Sequence, residues 1–253
     1  MKQKGKSYDS FYFMRDRSGW IPDSFHSHPS GRVDHWKIQS YGERNQFPSD
    51  CPGCFSVHPV GGSVKLTVIG EENVPTDVPV LYIGNHRSFF DVPLTYPRCP
   101  IRTGYIAKKE MEKVPLLSTW MKRLHCLFLD RNDLKQGLKT ILTAIEKVKS
   151  GISICIFPEG TRNKNEDELD MLPFHEGSFK IAAKTNCPII PMAISGSADI
   201  WENHFPRVKK THVILEYGKP IYIDQLEKED KKHLGAYTQN IIHEMLVKNK
   251  AQL

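Results

Sequence analysis

The chain is 253 residues long, 39% apolar and 25% charged, proportions of a folded globular protein that exclude a disordered tail or a fibrous repeat. Its formal charge of +6 suits an anionic partner, whether lipid headgroup, phosphorylated small molecule or nucleic acid, without choosing among them. No run approaches the roughly 20 apolar residues that cross a bilayer, and the first 20 residues are polar where the apolar stretch of a signal peptide would lie, so no transmembrane segment and no signal peptide are expected.

In chain order, residues 1–63 are rich in Ser, Gly, Pro, His and aromatic side chains with little periodicity, and read as an irregular N-terminal arm. Cys51-Pro-Gly-Cys54, with His58 beyond it, has the spacing of half a zinc site. No second pair follows, so no metal is expected. Cys155 and Cys187 lie in or beside apolar runs and read as core residues.

Regular texture begins at Val64. Val64–Ile69 alternates like a strand and closes on Gly70 to Pro75. Val78–Ile83 reads as a buried strand and Ile101–Ala107 as another. Leu116–Leu124 has helical texture, and Cys126–Leu129 is a short strand ending at Asp130-Arg131. Asn132 or Asp133 can cap a helix to Lys149 whose core face is expected to hold Leu134, Leu138, Ile141, Leu142, Ile145 and Val148. Gly151 ends it, and Ile152–Phe157 is the next strand. Glu176–Lys184 reads as a helix, Cys187–Ile194 and His212–Tyr217 as strands, and Leu234–Lys248 as a terminal helix. Strands alternating with helices predict an α/β fold over 64–253, a mostly parallel sheet flanked by helices.

Two strand ends carry chemistry. After the second strand comes Asn85-His86-Arg87-Ser88-Phe89-Phe90-Asp91, in which four residues separate an imidazole from a carboxylate. A nearby carboxylate can hold the Nδ1 proton of His86 and raise the basicity of Nε2. Asp91 has a second reading, as a helix cap ahead of Pro93. Ser88 stands in no strained strand-to-helix elbow, so the simpler chemistry is direct removal of a proton from a substrate hydroxyl by His86. The other segment is Phe157-Pro158-Glu159-Gly160-Thr161-Arg162. Gly160 permits a tight turn with exposed N–H groups, and Arg162 offers a planar fork for a phosphate. Glu159 could hold that fork, bond a substrate hydroxyl, or form an ion pair inside the loop.

Together these segments resemble the glycerophospholipid acyltransferase family, and most closely its bacterial 1-acyl-sn-glycerol-3-phosphate acyltransferases. The NHxxxxD block is residues 85–91 and the FPEGTR block is residues 157–162. Between them Leu127-Phe128-Leu129-Asp130-Arg131 resembles the block that ends in arginine, after the similar run Ala107-Lys108-Lys109-Glu110. Pro188–Ile194 resembles the apolar strand with a proline. The resemblance spans about residues 64–223. It implies transfer of a fatty acyl chain from acyl-CoA or acyl-acyl carrier protein to the hydroxyl of lysophosphatidate, giving phosphatidate, with no cofactor. His86 would be the base and Asp91 its partner. Glu159, Gly160, Thr161 and Arg162 would bind the acceptor, with Arg131 and Lys108 as further basic candidates.

A lipid substrate implies a peripheral place on the cytoplasmic side of a membrane surface. The stretch 111–128, mixing Leu116, Trp120 and Leu124 with Lys113, Lys122 and Arg123, suits an interfacial helix or an ordinary one with a core face. Two departures stand out. The segment before Val64 is polar where the family has an apolar or amphipathic anchor, and Glu176 stands where a basic residue is frequent, which bears on headgroup preference. Alternatives are the same chemistry on another lysolipid, or a non-catalytic lipid-binding protein at a membrane surface. No nucleic-acid recognition motif is present.

Overall fold

The structure, a computed structural model, describes residues 64–253; the expected arm over 1–63, with Cys51 and Cys54, lies outside the described residues. Seven strands, β1 (Val64–Ile69), β2 (Leu81–Gly84), β3 (Thr103–Lys108), β4 (Leu127–Leu129), β5 (Ser153–Ile156), β6 (Ile189–Ser195) and β7 (Thr211–Tyr217), form one sheet in the order β1-β7-β6-β2-β5-β3-β4. Every neighbouring pair is parallel except β6 with β7. The predicted mostly parallel α/β sheet is therefore what forms.

The central strands are apolar on both faces, as a sheet covered on both sides requires. Leu81 and Ile83 of β2, Ile154 and Ile156 of β5, and Ile189 and Ala193 of β6 point into one core. Their alternates, Tyr82, Cys155, Ile190, Met192 and Ile194, build the other. The helices are α1 (Asp91–Thr95), α2 (Leu117–Arg123), α3 (Leu134–Lys149), α4 (Lys180–Thr185), α5 (Lys228–Lys232) and α6 (Leu234–Lys250). The predicted helix from Glu176 divides into a 3-10 turn, Glu176–Phe179, and α4.

The core face of α3 differs from the expected one. Asp133 caps the helix as predicted, accepting from Lys135 N and Gln136 N. Thr140, Ala144, Ile145 and Val148 are buried, whereas Leu134, Leu138 and Leu142 are 89%, 55% and 51% exposed. The physical reason lies at the edge strand β4. Gln136 Nε2 and Thr140 Oγ1 both donate to Phe128 O (2.9 and 3.1 Å), and Gln136 Oε1 accepts from Asp130 N (2.7 Å). Satisfying the backbone of an otherwise open edge turns the polar side chains inward and leaves the row of leucines outside.

Candidate functional site

The ends of β2 and β5 lie side by side, because the two strands pair in register from Leu81 with Ile154 to Ile83 with Ile156. The loops that follow them therefore leave the same edge of the sheet, where open α/β sheets place their ligands. Asn85 starts the first loop and locks it to the other neighbour: its side chain donates to Ile194 O (2.9 Å) and accepts from Ile194 N (2.8 Å).

His86 is held through both its ring and its backbone. The Nδ1–H donates to Asp91 Oδ2 at 2.7 Å, since a carboxylate can only accept, which leaves Nε2 as the ring's acceptor. The ring stacks on Phe157, the residue after β5, with centroids 4.4 Å apart. His86 N donates to Glu159 Oε1 (2.8 Å), and His86 O accepts from Asn163 N (2.7 Å). The His86 side chain is 21% exposed and Asp91 fully buried.

Asp91 is not the N-cap of α1. Phe90 holds that position without a side-chain bond, and Asp91 is the first residue of the helix. Its Oδ2 reaches back instead, accepting from Arg87 N and Ser88 N (both 2.9 Å) besides His86 Nδ1. One carboxylate oxygen thus closes the loop into a ring around itself, with three donors converging on it.

In the second loop Gly160 has φ +75°, and its N–H returns to Phe157 O at 3.0 Å. A side chain there would be strained and would press on the His175 ring at 3.3 Å, with Arg131 Nε 3.6 Å away. That places Arg131, just beyond β4, beside the turn. Partial desolvation lowers its guanidinium pKa, though the residue keeps an exposed surface.

Glu159 does not pair with Arg162. It is buried, and its two oxygens accept from backbone N–H groups, His86 on one side and Leu172 on the other (2.8 and 3.0 Å). Burial raises its carboxyl above the ordinary value, and the two N–H donors oppose that shift. Arg162 finds a different partner, Glu202, with Nη1 3.3 Å from Oε1, and its guanidinium carbon lies 3.6 Å from the centroid of the Phe89 ring. Thr161 is exposed at the turn.

The structure therefore gathers His86, Asp91, Glu159, Gly160 and Arg162, with Arg131 at the rim. Lys108 pairs elsewhere: its side chain is half exposed, with its ammonium 3.4 Å from Glu110. Lys109 instead bonds Asp130 at 2.9 Å. Glu176 accepts from Gly235 N (3.0 Å) in the first turn of α6, a helix-start contact that explains an acidic residue there without reference to a ligand. Ser88 is buried with its Oγ donating to Glu202 Oε2 (2.7 Å). Asn163 and Glu202 carry no site signal in the sequence, because the residues of the His86 loop that they bond lie about 75 to 115 positions away and neither belongs to a periodic or punctuated pattern.

Arranged in this way, the groups offer an imidazole fixed in one tautomer and, beyond the ends of β5 and β4, two arginines able to hold an anion. The sequence profile of the Acyltransferase family matches residues 65–195. A 1-acyl-sn-glycerol-3-phosphate acyltransferase of Saccharomyces cerevisiae is 30% identical over 184 residues, which is 72% of this chain and 59% of that protein. The protein of the same name in Borreliella burgdorferi is 29% identical over 192 residues, 73% of this chain and 71% of its own length. The crystal structure of the 1-acyl-sn-glycerophosphate (LPA) acyltransferase of Thermotoga maritima superposes with a TM-score of 0.63 at 28% identity, covering 74% of this chain and 73% of that one.

Proposed function

The chain belongs to the acyltransferase family, and from that premise we propose that it transfers a fatty acyl group from a thioester to the free hydroxyl of 1-acyl-sn-glycerol-3-phosphate, yielding phosphatidate. The observation that carries this reading is the 2.7 Å contact between His86 Nδ1 and a fully buried Asp91 that also accepts two backbone N–H groups. A protein that only bound lipid would have no use for so strictly held a base.

In the proposed reaction His86 Nε2 takes the hydroxyl proton of the acceptor as its oxygen attacks the thioester carbonyl. Asp91 stabilises the imidazolium that forms and keeps the ring from rotating. The tetrahedral intermediate collapses with loss of the thiolate, which takes the proton back from His86. The thioester supplies the activation, so the scheme calls for no cofactor. Arg162 and Arg131 hold the acceptor phosphate, with Gly160 and Thr161 shaping the turn beneath it and Lys108 as an outer cation. Glu159 serves this pocket by joining the two loops rather than by touching substrate. The donor is acyl-CoA or acyl-acyl carrier protein, which the same assay run with each thioester distinguishes.

Contact with the cytoplasmic side of a membrane is part of the proposal, over a domain running from 64 to 253. No helix among the described residues is long and apolar enough to cross a bilayer. Leu116 and Trp120 are exposed next to Lys113, Lys122 and Arg123, and the leucine row of α3 is flanked by Lys135 and Lys139. Apolar side chains bordered by cations are what a peripheral lipid contact requires.

The test is incubation of purified protein with labelled acyl thioester and lysophosphatidate in detergent micelles, beside His86→Ala. Phosphatidate from the wild type alone is the expected outcome. Product on a different lysolipid only would move the acceptor assignment, and equal product from both proteins would remove His86 as the base.

A further inference from the structure

Glu202 occupies a junction that the reaction scheme above leaves unexplained. It opens a 3-10 turn, Glu202–His204, that follows β6. Its carboxylate reaches both functional loops at once. Oε2 accepts from Ser88 Oγ at 2.7 Å and Oε1 from Phe89 N at 2.7 Å, both within the loop that carries His86. Oε1 also takes Arg162 Nη1, at 3.3 Å, from the other loop. The residue before it, Trp201, packs on Phe89 with ring centroids 5.6 Å apart, and Phe89 is the ring over which the Arg162 guanidinium rests.

An arginine side chain has several freely turning bonds, and its planar fork binds a phosphate well only when its direction is set in advance. Arg162 has two constraints that set it: the Phe89 face below the guanidinium and the Glu202 carboxylate at its edge. The carboxylate engages Nη1, which leaves the rest of the fork to meet an anionic oxygen. Because the same carboxylate holds Ser88 and Phe89, the position of Arg162 is also referred directly to the loop that presents the base.

We propose that Glu202 is the positioning residue of the acceptor site, fixing Arg162 over Phe89 and setting the distance between the phosphate clamp and His86. The proposal rests on the reading of Arg162 as the phosphate clamp. It requires the shape and acceptor oxygen of Glu202 more than its charge. Gln can keep Oε1 toward Phe89 N and Arg162 while its amide donates to Ser88 Oγ, whose hydroxyl can accept.

The experiment is steady-state kinetics with lysophosphatidate varied at saturating acyl thioester, then the reverse, for the wild type, Arg162→Ala, Glu202→Ala, Glu202→Gln, Glu202→Asp and the double variant Arg162→Ala/Glu202→Ala. Glu202→Ala should raise the acceptor KM about tenfold, an ordinary cost of a misdirected binding group, with the donor KM within about twofold. Glu202→Gln should return the acceptor KM to within about threefold of wild type, and Glu202→Asp should fall between. In the double variant the loss of Glu202 should add almost nothing to that of Arg162.

Additive losses in the double variant, no rescue by Gln, or a lowered acceptor KM in Glu202→Ala would each overturn the proposal, the last by making Glu202 a competitor of the phosphate. If Glu202→Ala does not fold, an unchanged acceptor KM in Glu202→Asp overturns it equally. An acceptor KM unaffected by Arg162→Ala alone would overturn the underlying clamp reading, and the proposal with it, before Glu202 is touched.

Discussion

The two loops at the sheet edge are held in opposite ways. Around His86 the nearest restraint is fully buried and close in sequence, Asp91, five positions on, which ties three donors with one oxygen, while Asn85 locks the loop to Ile194 of β6. Around Arg162 the restraints are side chains that keep some exposure, Glu202 at 19% and Phe89 at 37%, and both are distant, 40 residues away and 70 or more. Proton transfer tolerates little error in distance or tautomer, whereas an anion clamp has to admit and release a ligand. On the proposed roles, a base tied to a buried carboxylate beside a clamp held by partly exposed side chains meets both needs, and the contrast can be broken from either side.

The largest effect is expected at the base. His86→Ala should lower kcat by about 10³-fold or more while unfolding as the wild type does, read by initial rates and a denaturant melt. Next comes Glu159→Ala, which strips the acceptors from His86 N and Leu172 N. Two buried N–H groups left unpaired should cost about 2–4 kcal/mol of stability, with kcat reduced and the acceptor KM little changed.

The pH dependence of stability sharpens the Glu159 assignment. Burial raises its carboxyl above the ordinary 4.5, so the folded state binds that proton more tightly than the unfolded chain does. The stability this gives is present in full below the unfolded value and is lost as pH rises through the folded one. Urea melts from pH 4 upward should therefore show wild-type stability declining more steeply than that of Glu159→Ala, and parallel curves would remove Glu159 as a titrating contributor.

Arg162→Ala should act at the clamp alone, raising the acceptor KM about tenfold or more with the donor KM unaltered. The smallest effect is expected at Lys109→Ala. Its bond to Asp130 raises the lysine and lowers the carboxyl, so that contribution is present between the unfolded carboxyl and unfolded lysine values, and is lost as the pH falls through the lowered carboxyl or rises through the raised lysine. The pair is exposed and should move Tm by no more than about 2 °C near neutrality.

Much of this was legible in the order of residues. Apolar runs bounded by Gly, Pro and Asp located the strands to within a few positions, because a strand buried on both faces must be continuously apolar. The spacing of His86 and Asp91 foretold their contact, since a turn of that length brings position five back to position zero. Glu159 and Arg162 misled for the complementary reason. Three residues apart and opposite in charge, they suggest each other as partners, yet each is claimed by a group from another part of the chain: Glu159 by the backbone of His86 and Leu172, Arg162 by Glu202.

The leucines of α3 follow the same logic. Their helical spacing is a property of the chain by itself, and so is the cap at Asp133 that starts the helix. Which stripe would face inward depended on the open edge of β4, whose Phe128 carbonyl and Asp130 amide needed Gln136 and Thr140 more than the core needed three leucines. Local pattern determined the elements and the base with its carboxylate, because those interactions are short in sequence. Only the tertiary structure decided the partners of Glu159, Arg162 and α3, because buried polar groups are satisfied by whatever the fold brings within 3 Å or so.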